Sequence, residues 1–498
     1  MVRSTTLVSR QVIVYPPLGA HHILGISLEG LMNLYRSKVK VAVVGKDGRT
    51  SAIKKLLESS PLVNGPVKEA SSGKGPQSVQ ETIAALRHDP PDFVVPGPEE
   101  PLARGIVDEL RSQLGVPCIG PTRSLARLES SKSFTRTLLA AHKIHGNPEH
   151  RIFDSIDGVE EYLLHLGDFV IKPDGLTGGK GVKVSGEHLH SAREGVEYCR
   201  ELLGQPAAKV VVEEKLDGEE FSLQSFCDGS HVKHMVVVQD HKRACDGDTG
   251  PNTGGMGSYT CADHLLPFID ASDLEAARRT NELVAQALLD ETGEKYKGIL
   301  FGGFMATANG VKLLEYNARF GDPEALNVLS ILETDLCEIF RAILDERLDE
   351  VDVHFQKCAT VCRYIVPSGY PTKPLCGVVR NIPAETNSLK VYLAAVDEKA
   401  DGIWMTGSRA VALVGIGSDL AEANAVVEAK AASIEGHVFY RKDIGTPALI
   451  QRRIDHMRKL RQDGGVSVPL EVDSNQSSAT TPSRFNTAAV KAQVVEET

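Results

Sequence analysis

The chain has 498 residues, 42% of them hydrophobic and 24% charged, with a formal net charge of −11. That length supplies core for several folding units, and the acidic balance argues against general nucleic-acid binding and against a basic membrane-facing surface. No run of about 18 apolar residues occurs, so no bilayer-spanning helix is expected. Met1–Leu28 carries Arg3 and Arg10 and no acidic residue. Its length and charge fit an organelle presequence; an untargeted extension fits equally, because Pro16–Pro17 would break a helix. Residues 1–37 are therefore read as an extension. Lys38–Gly45 (KVKVAVVG) reads as a buried strand entering a turn, Ser51–Glu58 as a helix, Phe93–Gly97 and Pro117–Gly120 as two further strands, with a helix from Pro101 to Leu114 between them. Strand, helix, strand at this spacing predicts an α/β unit with a parallel sheet over residues 38–130, and ligand groups at its C-terminal edge. The turn at Gly45 begins like a GxGxxG dinucleotide fingerprint. Asp47 and Thr50 occupy the places of its second and third glycines, so a nicotinamide site is not supported.

Phe169–Val184 (FVIKPDGLTGGKGVKV) predicts two strands joined by a glycine-rich loop. Backbone N–H groups of such a flap fold over phosphates, and Lys172 and Lys180 add positive charge. It is not a Walker A loop, since Gly181 follows Lys180 where Ser or Thr is required. Lys209–Leu216 is an apolar strand ending in carboxylates. Gln239–Tyr259 (QDHKRACDGDTGPNTGGMGSY) holds five glycines, three Asp and three basic side chains. With no hydrophobic face of either period it is expected to be a loop. A solvated linker is one reading; a loop that holds a small polar substrate or phosphate is the other. Ile299–Met305 and Val311–Tyr316 predict a hairpin turning at Asn309–Gly310. Glu315 and Asn317, two apart on its second strand, share a face. A carboxylate and an amide oxygen are hard ligands suited to Mg²⁺ or Mn²⁺, with other positions left to water and phosphates. Residues 351–455 contain short strands and a helix, and 456–498 a helical end and a disordered tail. The nine cysteines form no CxxC pair and read as reduced thiols of a cytoplasmic protein.

DHKR followed by DGDTGPNTGGMG resembles the substrate loop of the glycinamide ribonucleotide synthetase family, members of the ATP-grasp superfamily. The resemblance runs, with gaps, from about Val39 to about Leu449. It includes GPEEPL (Gly97–Leu102), SSKSF (Ser130–Phe134), EEKLDGEEFS (Glu213–Ser222), EYNARFGDPE (Glu315–Glu324), SGYP and RKDIG. It implies an ATP-grasp fold over 131–350, with a flap subdomain over about 150–220 and a small C-terminal α+β domain over 351–455. It implies ligation of glycine to 5-phosphoribosylamine, with ATP consumed, through a glycyl phosphate. Lys172 and Arg319 are the implied catalytic residues. Lys132, Lys172, Lys180, Glu213, Glu214, Leu216 and Glu220 would bind ATP, the Glu213–Leu216 backbone reading adenine and Glu220 the ribose. Gly45, Gly48, Arg49, Asp240, His241, Lys242, Asn252, Gly254, Gly255, Arg319 and Asp322 would bind the other substrates, Asp322 taking an ammonium group. Glu315 and Asn317 would bind the metal. Small molecules are the only partners implied, in a monomer or weak homodimer.

The family turn GxGGREHA stands here as GKDGRTSA. Gly45, Gly48, Arg49 and Ala52 persist, whereas Asp47 replaces a glycine, Thr50 a glutamate and Ser51 a histidine. By resemblance this turn helps hold the phosphoribosyl end of the amine, where an Asp47 carboxylate would repel phosphate. A PGNxG turn is not recognisable in Val67–Gly75, and Leu393–Val396 stands where the family has HAGT. Two other readings stay open on these residues: a paralogue ligating another amine or carboxylate, and a nucleotide-binding regulatory protein without turnover.

Overall fold

Val41–Val44 is buried at every position and forms the middle of a parallel sheet, flanked by Lys68–Ala70 on one side and Phe93–Pro96 on the other. An unbroken apolar run is what a strand covered on both faces requires. The computed structural model describes residues 37–70, 77–178 and 181–463, and from Val39 onward these pack as one compact unit. Most of the extension, Lys180 and the tail beyond 463 lie outside the described residues. The expected strand at 117–120 is reduced to one parallel bridge between Val94 and Cys118. The expected helix at 101–114 is two, Glu99–Ala103 and Ile106–Leu114, divided at Gly105.

Two antiparallel sheets follow. The first runs in the order His150–Phe153, Val210–Glu214, Phe169–Pro173, Lys183–Val184. Its apolar side packs with helices Val159–Leu166 and Ala192–Leu203 around Phe153, Leu163, Phe169, Ile171 and Val212. The second runs Gly310–Asn317, Gly298–Thr307, Gly218–Cys227, Val232–His234. Its hairpin turns at Gly310 with φ +94°, as the Asn-Gly pair predicts.

Gln239–Tyr259 is not the plain loop its composition predicts. Gln239–Asp240 pairs with Ser258–Tyr259, and Arg243–Cys245 pairs with Thr249–Asn252 as a projecting hairpin. Ladder bonds need only backbone groups, and charged side chains are stable on a strand that lacks a buried face. Gly257–Thr260 then pairs with Ala359–Pro367, which pairs with Val411–Gly417, and that with Leu389–Leu393. One sheet thus carries both ends of the charged segment and the strands beyond residue 351. Helix Leu420–Ala431 packs on it.

Candidate active site

The first turn ends in helix Gly48–Ser59, which starts three residues earlier than its apolar spacing suggests. Asp47 is its N-cap. Thr50 N–H and the Thr50 hydroxyl donate to Asp47 Oδ1 at 2.9 and 2.6 Å, a side-chain cap of the usual kind. Arg49 Nε donates to Asp47 Oδ2 at 2.7 Å and Nη1 to the Phe320 carbonyl at 2.8 Å, with Glu99 3.8 Å from Nη2. Phe320 belongs to the ExNxRFGDPE stretch, and there Arg319 Nη2 contacts Glu129 at 2.8 Å while Nε lies 3.5 Å from Glu99. Glu129 also accepts the Ala318 N–H at 2.8 Å. Arg49 and Arg319 therefore stand side by side, sharing the Phe320 carbonyl and the Glu99 carboxylate. A Cβ on Gly48 would run into the Tyr364 hydroxyl. The turn, the RFGDPE stretch and a strand beyond residue 351 converge at this point.

Asp322 is held from two sides. The Tyr364 O–H donates to its Oδ1, and Arg409 Nη2 stands 3.2 Å from Oδ2. Oδ2 faces that guanidinium as an ion pair without a hydrogen bond, and the residue is buried. Arg409, which the sequence reading missed, also donates Nη1 to the carbonyls of Asp322, Gly254 and Gly255 at 2.6, 2.7 and 3.1 Å, and stacks over the Tyr364 ring. Asp240 is less constrained. Its Oδ1 accepts the His241 N–H at 2.7 Å. Burial first, then the neighbouring Glu324 carboxylate, push the Asp240 carboxyl well above its ordinary range.

A second, buried cluster is built on Glu213. Its carboxylate is held by Arg136 Nε at 2.6 Å and Lys172 Nζ at 2.7 Å, and all three side chains are nearly buried. Burial alone would raise its pKa; the two cations outweigh that and set it at about 2. Arg136 also donates to the Leu313 and Leu314 carbonyls at 3.1 and 2.8 Å, and Lys172 to Leu314 at 3.2 Å, which ties the flap strand to the Glu315 strand. Glu219 is buried against Arg453 at 3.0 Å and His456 at 2.7 Å. Glu214 accepts the Glu149 N–H and pairs with Lys312. Lys132, one residue into helix Lys132–Ala141, donates to the Gly175 carbonyl at 2.8 Å, and Asp174 accepts from Ser131 and Ser133. The root of the flap is pinned to the start of that helix.

Glu315 is exposed, and Gly303 pairs opposite it without a side chain. Surrounding groups desolvate its carboxylate in part, but Lys242, Lys172 and Lys132 outweigh that, so its pKa falls below the ordinary carboxylate value. Lys242 Nζ lies 3.1 Å from Glu220 and 4.0 Å from Glu315. Its ammonium is held charged by Glu220 above all. Asn317 Oδ1 accepts from Arg319 Nη2 at 3.1 Å. Among the described residues no three His, Cys, Asp or Glu cluster as a metal site. Two hard oxygen donors on one strand still fit a hard divalent cation that keeps its remaining positions for phosphate and water.

Asn252 and Gly254 are exposed at and beyond the projecting hairpin. His241 is set apart from this group. Its ring is buried with both nitrogens unpartnered, and burial, then Arg441, lower its pKa to about 3. Asp248, at the hairpin tip, is gripped by Arg441 at 2.8 Å, by Arg452 at 2.5 Å and by Arg453. The missed residues had some signal. Arg136 lies four residues after Lys132, hence on one helix face, next to buried Leu138 and Leu139.

The family model described as "Phosphoribosylglycinamide synthetase, N domain" matches residues 39–129, its "ATP-grasp (A) domain" 130–325 and its "C domain" 360–447. Phosphoribosylamine–glycine ligase of Methanoregula boonei is 46% identical over 435 residues, covering 85% of this chain and the whole of that protein. The enzyme of the same name from Methanocella arvoryzae is 41% identical over 436 residues, with the same coverage. Among solved structures, phosphoribosylamine–glycine ligase of Thermotoga maritima superposes with a TM-score of 0.65 at 25% identity, covering 81% of this chain and all of that one. A Campylobacter jejuni biotin carboxylase, at 13% identity and TM-score 0.61 over 85% of this chain and 99% of its own, shares the fold. With three consecutive domain matches and relatives of this identity along their full length, this chain belongs to the phosphoribosylglycinamide synthetase family and has the ATP-grasp fold.

Proposed function

We propose that this protein is an ATP-dependent C–N ligase of de novo purine biosynthesis, joining glycine to 5-phosphoribosylamine. The observation that carries the reading is the convergence of Lys132, Lys172 and Lys242 on Glu315, next to the Arg319–Arg49 pair. Phosphate charge is met on one side and carboxylate charge on the other. A glycine carboxylate oxygen attacks the γ-phosphorus of ATP and ADP leaves. The amine nitrogen of 5-phosphoribosylamine then attacks the acyl carbon, phosphate leaves, and the nitrogen gives up a proton. The acyl phosphate is needed because oxide is a very poor leaving group and phosphate a good one. Lys172 and Lys132 neutralise charge on the phosphates, and Arg319 holds the acyl phosphate oxygens. Glu315 and Asn317 would hold a divalent cation such as Mg²⁺ or Mn²⁺, which when bound would supply Lewis-acid neutralisation of phosphate charge.

Asp240 receives the glycine ammonium, because the Asp322 carboxylate is already flanked by the Tyr364 hydroxyl and neutralised by the Arg409 guanidinium. An ammonium there replaces the proton that the Glu324 carboxylate and burial favour on Asp240. Asp322 positions the turn. The backbone beyond Glu213 meets the nucleotide base, Glu220 the ribose, and Lys180 closes with the flap. The reading keeps the domain division drawn from the sequence, 38–130, 131–350 and 351–455, with small molecules as the only partners in a cytoplasmic monomer or weak homodimer. No helix among the described residues is long and apolar enough to cross a membrane.

The test is ADP release with glycine and freshly generated 5-phosphoribosylamine, against a panel of other amines and amino acids. Release only with another amine would sink the assignment of the acceptor. Glu315→Ala is expected to lower turnover at least about a hundredfold, the scale of losing one electrostatic stabiliser, while the protein stays folded. Normal turnover in that variant removes Glu315 from the site.

A further inference from the structure

The two glycines that this chain shares with the family turn are fixed by geometry, and the one it lacks is not. Gly45 has φ +130°, and a Cβ there would press on Thr50 Oγ1 and Pro98. Gly48 lies against the Tyr364 hydroxyl. Asp47 has φ −120° and ψ 175°, extended backbone that any residue adopts. Any residue fits at that position, and a second difference from the motif lies three residues on. Where the family motif reads Gly then Glu at these two places, this chain reads Asp47 then Thr50.

Those places are the N-cap and the third position of helix Gly48–Ser59, the two halves of a capping box. A glutamate at the third position reaches back to the N-cap N–H. An aspartate at the N-cap reaches forward to the third N–H, as Asp47 Oδ1 does to Thr50 at 2.9 Å. Either arrangement leaves one carboxylate at the helix start, beside Arg49 and favourable to the helix dipole. Here that carboxylate accepts Arg49 Nε at 2.7 Å, and the Thr50 hydroxyl fills the remaining space at 2.6 Å. The repulsion anticipated between Asp47 and a phosphate is therefore offset within the turn itself, since the carboxylate is spent on Arg49 and the cap.

We infer that Asp47 is a positioning residue for the phosphorylated end of the acceptor amine, supplying from the N-cap the carboxylate that the family motif supplies from the position of Thr50, and so aiming Arg49. This rests on the reading of 5-phosphoribosylamine as acceptor. The experiment compares wild type, Asp47→Gly, Asp47→Asn and the double variant Asp47→Gly with Thr50→Glu. Asp47→Gly is expected to raise the KM for 5-phosphoribosylamine about tenfold, the scale of one charge-assisted hydrogen bond, with the KM for ATP little changed. The double variant is expected to recover most of that loss. A KM that falls or stays level in Asp47→Gly, or a folded double variant that recovers nothing, overturns the inference.

Thr50 is tightly packed under Gly45 and Gly97, so Asp47→Asn guards against a double variant that does not fold. It keeps an oxygen for the Thr50 N–H but gives Arg49 no charge. A raised KM at an unchanged melting temperature separates the aiming of Arg49 from the cap and supports the inference; an unchanged KM overturns it. Titration of the same series with ribose 5-phosphate reads the acceptor end without turnover. Wild-type binding of ribose 5-phosphate that Asp47→Gly weakens and the double variant restores supports the inference even if 5-phosphoribosylamine is not turned over, an outcome that would sink only the ligase reading. No difference across the series overturns the inference alone.

Discussion

Glu213 illustrates how a single carboxylate sets both stability and site geometry. It is buried and paired at once with Arg136 and Lys172, so its removal leaves two cations facing the Leu313 and Leu314 carbonyls without an anion. Breaking such a buried pair costs about 3–5 kcal/mol, and Glu213→Gln is expected to lower the urea midpoint accordingly at pH 7. The pH dependence follows from the depressed carboxyl at about 2. Its contribution is fully present above the unfolded value, about 4.3, and is lost as pH falls toward 2. Between those limits the wild type should lose more stability than Glu213→Gln, and parallel profiles would contradict the pairing. Asp240 carries a separate prediction. Asp240→Asn keeps the size and the bond from the His241 N–H but loses the charge that an ammonium needs. The KM for glycine should rise about tenfold or more while the KM for ATP holds, the scale of one charge-assisted bond. An unchanged KM for glycine would return the ammonium to another carboxylate.

At the scale of elements, legibility tracked how local the stabilising interaction is. The Val41–Val44 strand and the Asn309–Gly310 hairpin were readable because an apolar run and a turn pair are each written within a few residues. Helix Gly48–Ser59 was placed late because its first turn is fixed by Asp47 and by Gly48 against Tyr364, more than three hundred residues away. The Arg243–Asn252 hairpin was unreadable as a strand pair for a similar reason. Its tip is held by Arg441, Arg452 and Arg453 through Asp248, while Gly247 N–H donates to Asp443 and Lys442 N–H to Asp246. Beneath it the neutral His241 ring titrates at about 3. Its folded pKa lies below the ordinary 6.5, so unfolding takes up a proton between those values and stability falls as pH drops through that window. The slope is about 1.4 kcal/mol per pH unit for one proton. Protection factors of the 243–252 amides, taken relative to intrinsic exchange at each pH, should therefore fall between pH 7 and pH 5 in the wild type and much less in His241→Phe. An equal fall in both would place the acid sensitivity elsewhere.

On the scale of the whole molecule, the segment beyond residue 351 is part of the candidate site and not an appendage to it. The sheet that begins with Gln239–Asp240 continues through Ala359–Pro367 and Val411–Gly417, so strands from both sides of residue 351 share one sheet. Arg409 extends that union to the chemistry. Four oxygens from two distant stretches, the Gly254 and Gly255 carbonyls and the carbonyl and carboxylate of Asp322, meet on one guanidinium stacked over Tyr364. Nothing near Arg409 in sequence signals this, because its partners are about ninety and a hundred and fifty residues away. Arg409→Ala leaves Asp322 buried with one oxygen unmatched, and should cost stability on the scale of about 3–5 kcal/mol. Lysine keeps the charge but lacks the planar fork that serves several acceptors together. Arg409→Lys should therefore recover much of the melting temperature while turnover stays depressed and the KM for glycine stays high, since Gly255, whose carbonyl Arg409 holds, lies against Asp240. The KM for ATP should change little in either variant, because the Lys132, Lys172 and Glu213 network is held by Arg136 and the Leu314 carbonyl. Full recovery of turnover in Arg409→Lys would reduce Arg409 to a source of charge, and an equal rise in both Michaelis constants would show that it supports the fold without orienting either substrate.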